Sequence, residues 1–276
     1  MSDEIERRRD GRKPNELRPI QIERHYLKYP EGSVLIEWGE TKVIVNVSAQ
    51  TGVPRWLRGS GQGWITAEYS MLPRATQNRN IREVQLGKQG GRTVEIQRLI
   101  GRCLRAVVEL DGLGENTMWV DCDVIQADGG TRTAALTGAF VAMVDALYFL
   151  MRRDHLRYLP LNNTLAAVSC GIVDGVALLD LPYEEDSRAQ VDMNVIGTGT
   201  GHLIEVQGGA ESHPFSPAQL QAMMDHAYGG LKEITRIQRD CLGNVWDEVR
   251  AGIARLEEGM NFAELRAFRE GLENNE

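Results

Sequence analysis

The chain has 276 residues, 42% hydrophobic and 25% charged, which is ordinary globular material for one sizeable domain or two modest ones and excludes disorder of the whole. A formal net charge of −8 argues against a general polyanion-binding surface. The charge is uneven, however: from Arg55 to Arg105 ten basic residues face three acids, whereas the stretch from Trp246 onward is acid-rich. That pattern suits one localised polyanion surface, or else arginines solvated on helix faces.

The first residues, "MSDEIERRRDGRKPNELRP", are charged and hold no apolar core of a secretory signal, so a cytoplasmic protein is expected. "SVLIEW" and "TKVIVNVSA", separated by Gly39-Glu40, alternate as a β-hairpin does. The next stretch, from Thr51 to Glu83, mixes Gly, Pro, Arg and Trp and reads as loop, with a strand near "GWITAEYSM". From Arg92, apolar residues at 96, 99, 100, 103, 104, 107 and 108 recur at helical spacing, and Arg98, Arg102 and Arg105 share the other face.

"TMWVDCDVIQ" alternates as a strand with one acidic side, and "ADGGTRTAALTGAFVAM" carries it into an apolar helix expected over Thr133 to Arg153. The apolar run from Ala134 to Met151 is broken by Thr137, Gly138 and Asp145 and reads as a buried core helix, so no membrane partner is expected. A second unit follows "YLPLNN". "TLAAVSCGIV" and "VALLDL" flank Asp174-Gly175, a type I′ hairpin signal, and "QVDMNVIGT" and "GHLIEVQG" pair around Gly199-Thr200-Gly201. Ser216, Pro217 and Gln219 form a capping box at the start of a helix. After Gly243, Val245, Trp246, Val249, Ile253, Leu256 and Met260 fall on one stripe of a last amphipathic helix, expected to pack on its own body or a partner subunit. The order predicts an α/β (α+β) protein of two related halves. The four cysteines show no C-x-x-C spacing and read as small buried residues.

Three constellations carry chemistry. Gly129-Gly130-Thr131-Arg132-Thr133 stands at a helix start, where free N–H groups, the positive dipole end and an arginine fork favour a phosphate. The lysine of a nucleotide-triphosphate cradle is missing. The alternative is a turn in which Thr131 or Thr133 merely caps the helix. Arg92 heads the other helix, either as a surface residue or, if the two helices lie side by side, converging with Arg132 on one anion. Asp186 and Asp192 share strand parity, but six extended residues span roughly 20 Å. The segment between them must bend if the two carboxylates cooperate, whether as Mg²⁺ ligands or as general acid and base. A solvated acidic loop is the other reading.

Taken in order, "DGR…LRP", "RATQNRNIRE", "GRTVEIQRLIGRCLRAVV", "DCDVIQADGGTRTAALTGA", "YEEDSRAQVDMNV" and "EVQGG…PFS" resemble the bacterial RNase PH family, phosphate-dependent 3′ to 5′ exoribonucleases that trim transfer RNA precursors. The resemblance runs from about Asp10 to Leu242. It implies an RNase PH-type fold with two βαβ-type halves, about 10–157 and 158–243, followed by a C-terminal helical extension over 244–276. It further implies a homohexamer built as a trimer of dimers.

By the same resemblance, phosphate lies on Gly130, Thr131, Arg132 and Arg92. The catalytic or metal-associated aspartates are Asp186 and Asp192, and the RNA-binding arginines are Arg58, Arg74, Arg79 and Arg82. Inorganic phosphate is the implied co-substrate, Mg²⁺ the implied cofactor, and nucleoside diphosphates the products. A non-catalytic RNA-binding ring subunit of an exosome-like assembly is the alternative. The chain departs from the family pattern at "ALTGA" for "SITGA", at "GGAESHPFS" for "GTAEGEPFS", which is expected to touch a strand-to-helix loop away from the site, and in the tail after Val245.

Overall fold

The computed structural model of the chain describes residues 8–257. The first half is built on a five-stranded sheet of β1 (Ile20–Arg24), β2 (Gly32–Trp38), β3 (Thr41–Thr51), β4 (Trp64–Met71) and β5 (Asn116–Gln126), in the order β1-β2-β3-β5-β4. The predicted hairpin is β2 and β3, and its alternation buries Val34, Ile36, Val43, Val45 and Val47 on one face. β4 and β5 are parallel, so a crossover must join them, and α1 (Gly91–Val107) supplies it, burying the apolar stripe read from its spacing. Each parallel strand leads at its C-terminal end toward a helix, β4 to α1 and β5 to α2 (Thr131–Arg152). Both helix starts therefore lie at one edge of the sheet, where open α/β sheets gather ligands.

α2 is long and apolar enough to cross a membrane, but it packs against β2 and β3 on one side and β6 (Ala166–Val173) on the other. Phe140, Met143 and Leu147 are wholly buried there. The helix begins two residues before the expected Thr133, which puts Thr131 and Arg132 in its first turn.

The second half pairs β6 with β7 (Val176–Leu179), β8 (Val191–Gly197) and β9 (Leu203–Ala210), in the order β7-β6-β8-β9, covered by α4 (Pro217–Leu242). Asp174 (φ 50) and Gly175 (φ 81) are both left-handed, as a type I′ turn requires. The capping box at Ser216 and Gln219 is formed. The parallel βαβ crossover occurs in the first half alone. The second sheet is antiparallel throughout: a two-residue turn joins β6 to β7, a short loop joins β8 to β9, and the two hairpins pair antiparallel through β6 and β8.

Between β7 and β8 stands the one-turn helix α3 (Tyr183–Asp186). α5 (Asn244–Glu257) packs Val245 and Val249 into the main core, with Trp246 and Ile253 partly buried against it, so this part of its stripe lies on the protein's own body. Met260 lies outside the described residues. Cys103, Cys122 and Cys170 are buried as expected, whereas Cys241 is half-buried. Burial pushes the Cys103 and Cys170 thiols up to about 12.

The seam between the halves is held by a closed polar cluster. Asp180, buried and left-handed at φ 54, accepts from Arg18 N and Nη2, both at 2.7 Å, and from Trp38 Nε1 at 2.9 Å. Burial alone would push the Asp180 carboxyl up. The Arg18 guanidinium and backbone N–H, with the Trp38 indole, outweigh it and hold the group below the usual carboxylate range.

Candidate active site

β5 leads through Ala127 into the turn Asp128-Gly129-Gly130, and both glycines have positive φ, 72° and 65°. A Cβ on Gly129 would lie 2.4 Å from the Leu181 carbonyl oxygen, so the missing side chain lets this turn rest on the segment leading into α3. Arg18 Nη1 donates to Asp128 O at 2.5 Å, Thr41 Oγ1 donates to Gly129 O at 2.7 Å, and Tyr183 N donates to Asp128 Oδ1 at 3.2 Å. The turn is thus fixed from both halves.

Neither threonine caps α2. Thr133 Oγ1 donates to Gly130 O at 2.9 Å, and Thr131 Oγ1 is engaged by the Tyr69 hydroxyl at 2.9 Å. The capping alternative is therefore overturned: no side chain satisfies the first N–H groups, which stay available to an anion. α1 repeats the arrangement, with Gly90 as an N-cap that makes no side-chain cap bond. Arg92 and Arg132 are each the second residue of their helix. Burial raises the pKa of the Tyr69 hydroxyl, and the Arg92 and Arg132 guanidinium charges both oppose that rise.

The bend demanded between Asp186 and Asp192 is present. Asp186 N donates to Pro182 O at 2.9 Å and Ser187 N to Tyr183 O at 2.9 Å, closing α3 before the chain returns in β8. Burial raises the Asp186 carboxyl above the usual range, opposed by Arg92, Arg132 and Arg18. Burial also raises Asp192, Asp186 adds to the rise, and Arg132 and Arg92 oppose it. Both aspartates therefore feel both arginines, though the four residues come from α1, α2, α3 and β8. Glu211 pushes both aspartates further upward.

Two residues escaped the sequence reading. Arg132 Nη1 donates to Gln207 Oε1 at 2.9 Å, and the Gln207 amide in turn donates to Glu95 of α1. Gln207 on β9 thereby ties the two helix starts together. Its one visible signal was strand parity, a lone amide in "LIEVQG". Arg18, which holds the Gly129-Gly130 turn, lay in the quoted "LRP" without a role.

The "GGAESHPFS" departure is not remote: Gly208, Gly209 and Ala210 belong to β9, and Gly209 is the register partner of Asp192. Arg74, Arg79 and Arg82 lie exposed in the loop that leaves β4 at the site edge, whereas Arg58 is exposed ahead of β4, at its other end. The structure does not bring Arg58 together with the other three. Among the described residues no group of three or more His, Cys, Asp or Glu side chains is arranged to hold a metal ion.

Models described as 3′ exoribonuclease family, domain 1, and 3′ exoribonuclease family, domain 2, match residues 16–147 and 163–230. The chain belongs to the RNase PH family of 3′ exoribonucleases. One family relative, Ribonuclease PH of Moorella thermoacetica, is 55% identical over 245 residues, 89% of this chain and 98% of the relative. Among solved members of the fold, rice (Oryza sativa) Rrp46 superposes with a TM-score of 0.70 at 21% identity, covering 86% of this chain and 100% of its own. The Archaeoglobus fulgidus exosome with RNA bound to the active site gives 0.72 at 22% identity, covering 84% and 92%. At such identities these two structures speak for the fold alone.

Proposed function

We propose that the chain is a phosphate-dependent 3′ to 5′ exoribonuclease that trims transfer RNA precursors and releases nucleoside diphosphates, acting in the cytoplasm as a homohexamer. The observation that carries it is the pair of uncapped helix starts with Arg92 and Arg132 facing two aspartates whose ionised forms are disfavoured by burial. Arg92 and Arg132, with the N–H groups around Gly130 and Thr131, hold inorganic phosphate as the nucleophile. A phosphate oxygen bonds to the terminal phosphorus while the bond to the 3′ oxygen of the preceding nucleotide breaks, and that oxygen takes up a proton. The reverse reaction returns the same atoms. Catalysis of this kind is mainly positioning and charge neutralisation.

Asp186 and Asp192 are two hard oxygen donors with no third His, Cys, Asp or Glu side chain among the described residues placed to enclose an ion, a set that fits Mg²⁺, which completes its shell with water and phosphate. Bound there, Mg²⁺ would neutralise charge growing on the leaving oxygen. In the alternative arrangement without the ion, Asp186, held above the usual carboxylate range, keeps a proton near that oxygen. Arg74, Arg79 and Arg82 extend the RNA track, and Arg58 contacts it farther from the 3′ end. The catalytic unit spans 1–243, as halves 10–157 and 158–243, with 244–276 as an added extension. The presence of all four of Arg92, Arg132, Asp186 and Asp192 weighs against a non-catalytic ring subunit.

Product analysis tests this reading. A transfer RNA precursor with a 3′ overhang shortens only when phosphate is supplied, and the products are diphosphates. Monophosphates formed equally well without phosphate would sink it.

A further inference from the structure

α1 carries a second basic surface that the reaction site does not use. Arg98, Arg102 and Arg105 recur at i, i+4 and i+7, so they stand in a row on one face of the helix. With Trp64, Thr66 and Gln97 they line an open groove of about 420 Å³. Arg105 joins helix to sheet: its Nη1 donates to Ile65 O at 2.7 Å, and its guanidinium lies 4.3 Å from the centre of the Trp64 ring. Trp56 meets Trp64 edge-on at 4.7 Å and is itself 65% exposed. Arg102 is paired with Glu205 of β9, while Arg98 is exposed and has no ion-pair partner among the described residues. Burial disfavours the charge on Arg105, and neighbouring Arg102 disfavours it further. An anion in the groove relieves that repulsion, and the exposed Trp56 indole beside Trp64 offers aromatic surface for a base.

The helix rise of about 1.5 Å per residue places Arg98 about 9 Å, and Arg105 about 20 Å, along α1 from Arg92. The groove runs back along β4, away from the site edge and toward the end where Arg58 lies.

We propose that this groove is a nucleotide subsite, taking phosphate on Arg98, Arg102 and Arg105 and the base against Trp56 and Trp64, and that the nucleotides it holds belong to RNA upstream of the 3′ end. The assignment to RNA rests on the exoribonuclease reading. A free nucleoside diphosphate shares the chemistry, and the test separates the two sources.

Binding is measured without phosphate, so that nothing is cleaved. The probes are a fluorescent single-stranded RNA of about 20 nucleotides, a trinucleotide and uridine diphosphate, each with the wild type and with Arg98→Glu. For the RNA subsite, Arg98→Glu weakens the long RNA about tenfold and lowers the slope of its salt dependence by about one, while the ratio of long to trinucleotide affinity falls. Uridine diphosphate binding that is lost in Arg98→Glu, with long-RNA binding unchanged, assigns the groove to free nucleotides. Equal weakening of both RNA lengths, or no change with any probe, overturns the proposal. Because the readout is binding, an absence of phosphorolysis would end the exoribonuclease reading and leave this result interpretable.

Discussion

Two arginine–aspartate clusters stand six residues apart in the chain, on either side of Pro182, and they are built to opposite ends. At the seam, Asp180 has Arg18, Arg12 and Trp38 all donating to it, and its charge is stabilised. At the site edge, Arg132 is met by a neutral amide, Arg92 by no ion-pair partner among the described residues, and Asp186 and Asp192 are held above the usual carboxylate range. The first cluster joins the halves. The second leaves charge of both signs incompletely paired, which is the condition of a site awaiting a charged ligand.

The comparison is sharpest where each cluster is broken. Asp180→Ala strands Arg18 in the interior and is expected to cost about 3–5 kcal/mol of stability, measured by denaturant unfolding. Asp186→Ala is expected to lower phosphorolysis by at least about a hundredfold, roughly 3 kcal/mol, with RNA binding and unfolding midpoint close to wild type. Equal loss of RNA binding would remove the role assigned to it.

Asp192→Asn is expected to raise stability at pH 7 by about 1 kcal/mol while turnover falls, since a strained functional carboxylate is traded for a neutral isostere. The sign follows from the raised carboxyl: its favourable contribution to folding is full below the ordinary value of 3.8 and is lost as pH rises through the raised value in the folded protein. The gain from Asp192→Asn therefore shrinks as pH falls toward 3.8. Asp180 behaves oppositely. Its stabilisation is present above 3.8 and is lost only as pH falls through its lowered value. Unfolding of the two variants across pH separates the clusters. The smallest effect is expected at Gly209, where a Cβ meets nothing within 4 Å: Gly209→Thr should change stability by less than about 1 kcal/mol and leave turnover within a few-fold.

The hairpins, the capping box and the faces of α1 and α5 were legible because they depend on neighbours in sequence. The four site residues were legible as separate signals, and the family resemblance joined them, since Arg92 and Asp192 are brought together only by two sheets packing about α2. Gln207, Arg18 and Asp180 were not found. Gln207 acts through the pairing of β9 with β8, which no local pattern encodes. Asp180, inside "VALLDL", reads from the sequence as part of a strand, although a lone acid in an apolar run carries its own signal: buried there, it must find a cation. The pairing of β6 with β8, which joins the two predicted hairpins into one antiparallel sheet, was hidden, because the order of elements does not state which hairpin strands meet.

The central claim is that Arg92 and Arg132 meet on one free phosphate. The most direct measurement is a double-mutant cycle on the KM for phosphate, using Arg92→Ala, Arg132→Ala and the double variant. A shared ligand predicts that each single change raises KM about tenfold or more and that the double change falls short of their product, a coupling of about 1 kcal/mol or more. Independent, fully additive effects, or a KM for phosphate that either change leaves untouched, would contradict it.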